Sequence, residues 1–314
     1  MQKWLLKSLV QNILGRLPKT YFWNGLFQKY VTNGYYPSEE TFKGKLNCCR
    51  KHLEYYKHYS PSPIKDFTAL ELGTGWWPIV PIGLYICGAR EVVTYDLYPL
   101  LRRDLLKFTL KLFDEFAKSG ELEQILKSIQ PERVMRLQEL LNEVDSKSPT
   151  DLLAEMNIKL RIADARVSQL ADKSIDLIFS TVVFEHIEAN ILKELLTEFR
   201  RVASNDAVMT HYIGLTDQYA FFDQSITAFN FLKYSDSQWC FLNNPIIPQT
   251  RLRISDYRAL FEQTGWNIAE ENNTFDSVLN LESIKLDPKF EKYSKEDLLV
   301  SFSWIVSNPS NNVK

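Results

Sequence analysis

The run Phe67-Thr68-Ala69-Leu70-Glu71-Leu72 is short, apolar and closed at once by Gly73-Thr74-Gly75. Trp76-Trp77-Pro78 then opens a helical stretch reaching about Cys87, with Pro78 suited to a first turn because its missing amide would have no partner there. Glu91 to Leu97 follows as a β-branched run ending at Asp96. Strand, glycine turn, helix, strand is a βαβ unit, and it commits the chain to a parallel sheet. The same alternation returns after a gap: Lys159 to Ala165, Ser174 to Thr181, a helix from Asn190 to about Ala203, and Ala207 to Ile213. Ser255-Asp256-Tyr257 starts a further helix ending at Gly265, and Leu298 to Val306 alternates like a late strand. The expected fold class is α/β, a doubly wound and mostly parallel seven-stranded Rossmann-like sheet covered on both faces.

Two additions are expected on this core. Residues 1–62 read as an N-terminal helical cap rich in aromatics (Tyr21, Phe22, Trp23, Phe27, Tyr30, Tyr35 and Tyr36), with a helix from about Glu39 to His58, and Ser60-Pro61-Ser62-Pro63 ends it. From about 100 to 157, Leu, Lys and Glu recur at helical spacing without β-branched runs, which reads as a helical insertion, a lid or a dimer surface, inside a main domain of 63–314. His52 and His58 fall on a charged helix and are expected in solvent.

Composition narrows the function. The 37 Lys+Arg against 39 Asp+Glu give a net charge of -2, which argues against a nucleic-acid partner. A hydrophobic fraction of 45% excludes a disordered chain. Four cysteines (Cys48, Cys49, Cys87, Cys240) are too few for a disulfide framework and lack zinc-ligand spacing, so a reducing, cytoplasmic setting and no metal are expected. No segment approaches the ~20 apolar residues needed to span a bilayer. Trp4, Leu5, Leu9, Val10 and Ile13 share a helical face that docks on the protein's own core or touches a membrane surface.

In an open α/β sheet, ligands bind beyond the carboxyl ends of the strands. Gly73 and Gly75 let backbone approach a ligand there, and Asp96, 21 residues after Gly75 at the next strand end, can accept both hydroxyls of a ribose. A dinucleotide fingerprint would need glycine where Pro78 stands, and Glu71 beside the turn repels a pyrophosphate but suits an ammonium, which disfavours a nicotinamide-dependent oxidoreductase and points to S-adenosylmethionine. With LELGTGWWP, VVTYDL, IADAR, SIDLIFSTVVFEHI and YRALFEQTGW in this order, the chain resembles the class I S-adenosylmethionine-dependent methyltransferases over roughly residues 65 to 270. The resemblance implies cofactor contacts from Glu71, Gly73, Gly75, Asp96, Asp164, Ala165, Ser180 and Thr181, and Trp76 is expected at the cofactor mouth. It implies S-adenosyl-L-methionine as donor and S-adenosyl-L-homocysteine as product.

Farther on, HYIGLTDQY, NFLKYSDSQW and TRLRISDY resemble a bacterial small-molecule subgroup with an H-x-I-D-L-x-D-H pattern, in which Gly214 here replaces the first acid and Gln218 the final histidine. A hydroxyl acceptor must lose a proton, so a base argues for O-methylation. His211, at the end of the fifth strand, is the candidate base, with Asp217 to orient it or contact substrate and His186 as a further catalytic candidate. Arg251 and Arg253, two apart in an extended segment, are candidates to grip an anionic acceptor group. The expected activity is methyl transfer to a small molecule, an oxygen of a natural product, sugar or lipid-like acceptor, by a monomer or homodimer. The alternatives are an amine acceptor, or a non-catalytic binding or scaffold protein that keeps the fold.

Overall fold

The computed structural model describes residues 2–18, 23, 25, 34–61 and 66–310. The expected aromatics Tyr21, Phe22, Phe27 and Tyr30, and the Ser62-Pro63 part of the boundary, lie outside the described residues. Seven strands form one sheet: β1 (Thr68–Leu72), β2 (Glu91–Asp96), β3 (Ile158–Ile162), β4 (Ile175–Thr181), β5 (Ala203–Gly214), β6 (Trp266–Phe275) and β7 (Val300–Pro309). Their order is β3-β2-β1-β4-β5-β7-β6. Pairings are parallel except for β7, which runs antiparallel to β5 and β6. Strand order reverses between β1 and β4, so the carboxyl ends of those two strands make the crevice.

Both faces of the sheet are covered because its central strands are apolar on both sides. On the front lie α2 (Glu39–Tyr59), α3 (Ile79–Ile86), α4 (Arg103–Ser119), α5 (Glu121–Leu126), α6 (Pro131–Glu143) and α7 (Pro149–Glu155), which build one front core, while the first helix, α1 (Lys3–Leu14), packs through Trp4 with Tyr219 and Trp239 in a separate cluster. Phe42, Leu46 and Tyr56 of α2 bury themselves with Ile79 and Ile82 of α3, Leu106 and Phe113 of α4, and Leu177 and Phe179 of β4. Each such side chain removed from water contributes about 1.5–3 kcal/mol. On the back, α8 (Ala189–Val202) and α10 (Ile254–Gln263), separated by α9 (Asp236–Leu242), set Leu192, Leu196, Phe199 and Phe261 against Leu70, Ile178 and Met209.

The region from about 100 to 157 is helical as expected, and it is an enlarged β2-to-β3 crossover whose leucines extend the front core. The cap helix α2 is likewise part of the front layer and shares its core. His52, expected in solvent, is fully buried: its Nδ1 pairs with Thr210 Oγ1 at 2.6 Å and its Nε2 with Thr181 Oγ1 at 3.2 Å. Burial pushes its pKa down to about 3, so the ring is neutral.

β6 is the strand that sequence reading passed over. Its segment, WNIAEENNTF, is an outer strand whose polar side chains find polar partners rather than a core. Glu270 accepts from the Tyr59 hydroxyl at 2.5 Å, and Glu271 accepts a fork of two bonds from Arg258. An outer strand satisfied in this way carries no hydrophobic alternation to read.

Candidate active site

The turn after β1 is held by backbone. Gly73 and Gly75 have φ of +85° and +65°, a region costly for other residues. Gly73 N–H donates to Tyr95 O at 2.8 Å, and Gly75 N–H donates to Asp96 Oδ2 at 2.9 Å. A Cβ on Gly73 would come within 2.5 Å of Val183 Cγ2, so the turns after β1 and β4 touch. A Cβ on Gly75 would meet nothing within 4 Å among the described residues. The Asp96 carboxylate also accepts from Tyr98 N–H through Oδ1 at 3.1 Å. Two of its roughly four acceptor positions are thereby spent and two remain.

Glu71 sits under the same turn, buried, accepting from Thr94 Oγ1 at 2.6 Å; Thr94 also pairs with Thr74. The β1–β2 register sets Glu71 opposite Thr94. Desolvation pushes the Glu71 carboxyl up to about 8, so it is largely protonated at neutral pH unless a cation settles beside it. Trp76 stands edge-on to Tyr35 at 5.8 Å, and Trp77 Nε1–H donates to Tyr35 O at 3.1 Å. The chain before α2 therefore closes one side of the turn. Asp164 caps the turn at Ala165–Val167 and is paired with Arg166 at 2.6 Å, while Ala165 is buried beneath it.

At the end of β4, Ser180 and Thr181 divide between the faces. Thr181 turns forward to His52, and Ser180 turns back, pairing through Oγ with His211 Nδ1 at 2.7 Å. Val182 follows at φ +54°, unusual for a β-branched residue, with its N–H donating to Tyr212 O at 2.8 Å. Backbone strain of this kind concentrates at functional turns.

Glu185 comes next, a residue to which sequence reading gave no role. It is buried, its Oε2 has no partner, and its Oε1 lies 2.8 Å from where a Cβ on Gly214 would be. Phe302 Cε1 borders the same point at 3.4 Å, and Tyr212, two residues before Gly214, stacks between Phe302 (5.4 Å) and Trp304 (4.7 Å). Desolvation pushes the Glu185 carboxyl up to about 8, against weaker downward pulls from its own amide and that of Gly214. An acid is thus present at the end of β5 although residue 214 has no side chain. The one available signal, Gly214 where the pattern holds an acid, gives no hint of which distant residue fills the space.

Several candidates are bonded within the protein. His211 is fully buried, one nitrogen on Ser180, the other unpartnered, its ring stacked on Phe184 at 3.9 Å. Burial pushes its pKa well down, which leaves the unpartnered nitrogen a weak base. Asp217 does not reach His211. It accepts from Tyr219 N–H and Asn230 Nδ2, both at 2.9 Å, and is pushed up to about 6 by burial. The His186 Nδ1–H donates to Pro248 O at 2.8 Å, and Nε2 accepts from Gln218 Nε2 at 3.0 Å. Both nitrogens are occupied, and burial lowers the pKa of the ring.

The two arginines do not present their heads to a ligand. Arg253 is fully buried and donates to the carbonyls of Leu215 (2.8 Å), Leu298 (3.0 Å) and Val300 (2.7 Å). Arg251 donates to Phe231 O at 3.0 Å and to Tyr234 O, pairs with Asp236 at 2.5 Å, and lies between the rings of Trp239 and Phe290. Side chains two apart point the same way, but this pair points into the protein.

The sheet order, the lone antiparallel β7, the open glycine turn and the acid ending β2 make a Rossmann-like fold of the kind that the resemblance to class I S-adenosylmethionine-dependent methyltransferases implies. A family model described as a methyltransferase domain matches residues 128–210. Among solved structures, the chain is similar to a geranyl diphosphate C-methyltransferase from Streptomyces coelicolor A3(2), at 10% identity over 82% of this chain and 78% of that one, TM-score 0.46. It is also similar to a protein from Pyrococcus horikoshii OT3 (15% identity, 78% and 83%, TM-score 0.43) and to a Haemonchus contortus phosphoethanolamine N-methyltransferase (12%, 83% and 52%, TM-score 0.44). No curated protein matches the chain.

The residues fit the donor. The space at Gly75 and the two unspent acceptor positions on Asp96 suit a ribose, and the desolvated Glu71 suits an ammonium. Among the described residues, no helix is long and apolar enough to cross a membrane.

Proposed function

We propose that the protein methylates an oxygen of a small acceptor that rests over the ends of β4 and β5, with Glu185 taking the acceptor's proton. S-adenosylmethionine, when bound, supplies an electrophilic methyl group on a sulfonium. Gly73 and Gly75 hold its methionine part, Asp96 its ribose, and Asp164 with Ala165 flanks its base. Ser180 and Thr181 shape the wall of this site from beneath rather than offering free hydroxyls, since both are bonded to histidines. Tyr212 and Phe302 provide an apolar wall for the acceptor, and alignment with exclusion of water does most of the work.

The observation that carries this reading is the desolvated Glu185 carboxyl over Gly214, whose Oε2 has no partner. A carboxyl raised to about 8 is poorly ionised at pH 7, and it becomes a strong base as it ionises above that. The turnover number is therefore expected to rise with pH toward about 8. Glu185→Gln is expected to lower kcat by about 10²–10⁴-fold, abolish the rise and leave S-adenosylhomocysteine affinity nearly unchanged. Wild-type turnover in Glu185→Gln would point instead to a neutral amine acceptor, which needs no base.

A further inference from the structure

Helix α1 is amphipathic the wrong way round for a helix resting on protein. Trp4, Ser8 and Gln11 face inward, with the Trp4 amide donating to Asp223 at 3.0 Å and Ser8 Oγ donating to Leu242 O at 2.7 Å. The opposite side carries Leu6, Leu9 and Ile13, exposed at 50%, 51% and 56%. Such spacing makes one continuous stripe. Beside it, Phe221 and Phe222 are also exposed, with Lys7 Nζ 4.5 Å from the Phe222 ring. Exposed apolar groups gathered in this way mark a contact surface.

Charge identifies the partner. The first 38 residues hold Lys3, Lys7, Arg16, Lys19 and Lys29 and no Asp or Glu, so all 39 acidic residues of the chain lie beyond them. The patch also continues toward the site: the Phe221 ring lies 6.5 Å from Phe302, which stacks on Tyr212. We infer that the outward face of α1, with Phe221 and Phe222, docks on the surface of an anionic lipid bilayer, the helix lying in the plane of the headgroups with its leucines inserted. A helix of 12 residues spans about 18 Å and lies on the membrane rather than crossing it. A second copy of the chain is a poorer occupant, since a two-fold contact would set each basic segment against itself.

The test is cosedimentation of the full chain with vesicles of phosphatidylcholine alone and of phosphatidylcholine with phosphatidylserine. Binding is expected only with phosphatidylserine, weakening as salt is raised. Lys3→Glu and Lys7→Glu should each weaken it by about fivefold or more, from roughly 1 kcal/mol per cation. Leu9→Ser with Ile13→Ser should weaken it by about a hundredfold, with the melting temperature unchanged because both side chains point outward. Equal binding to both vesicle types, or none to either, overturns the inference. So does a concentration-dependent dimer that Leu9→Ser with Ile13→Ser dissociates while vesicle binding stays the same. If the double variant is misfolded, the lipid and salt dependence of the wild type decides.

Discussion

The turn after β1 and the segment after β5 are equally rich in groups that bind ligands, and they end in opposite states. Around Gly73 to Gly75, backbone amides hold the turn, Asp96 keeps unspent acceptor positions, and the space over Gly75 is open. Between Leu215 and Arg253, every charged head named as a candidate is consumed by protein. Arg253 ties carbonyls of two elements together, Arg251 ties two more, and Asp217 ties a turn to Asn230. Residue type alone does not separate the two regions, because an arginine clamps backbone carbonyls as readily as it clamps a carboxylate. What separates them is whether local backbone satisfies the polar groups and leaves the side chain free.

Breaking this contrast should have its largest effect at Arg253. Arg253→Met would remove the guanidinium donor from three buried carbonyls, and a loss of at least about 3 kcal/mol in urea unfolding is expected. Unchanged stability with a raised acceptor KM would return Arg253 to the substrate site. Asp96→Ala should weaken S-adenosylhomocysteine by about 10–100-fold in calorimetric titration, with little change in the melting temperature. An unchanged dissociation constant would remove the ribose assignment.

His211→Phe sharpens the comparison from the other side. It removes one bond to Ser180, so a loss of about 1 kcal/mol in stability is expected with the pH–rate profile intact. A profile that loses its rise toward pH 8 would restore His211 as the base in place of Glu185.

A further effect concerns pH. Glu71 and Glu185 have folded-state pKa values near 8, above the ordinary carboxylate value of 4.5, so the fold favours their protonated forms. Their stabilising contribution is complete below about pH 4.5 and is lost as pH rises toward about 8. The melting temperature of the cofactor-free protein should therefore drift down across that window. Glu71→Gln should flatten the drift, and an unaltered slope would mean that Glu71 ionises freely in the fold.

Most of the sheet was legible because its strands are short apolar runs punctuated by glycine and proline, and both signals act over a few residues. Strand β6 was not, since its acids are answered by Tyr59 and Arg258 from elsewhere in the chain. His52 was misread for the same reason: a helix with lysines around it looks solvated until a sheet supplies Thr181 and Thr210. At the site, the glycine turn and Asp96 were legible, and Glu185, the base proposed above, was not.

The alternation of strand and helix, the positive-φ turn at Gly73 to Gly75 and an acid at the next strand end follow from local patterns along the chain, and these set the fold class and the place of the crevice. Which polar groups are free was settled by long-range packing. Glu185 lies over Gly214 because the turn after β4 leans on the end of β5, and Arg253 is spent because β7 returns beside it. Local geometry costs a few backbone angles and shows in residue type, whereas the pairing of a buried polar group depends on whichever distant element arrives with a donor or an acceptor.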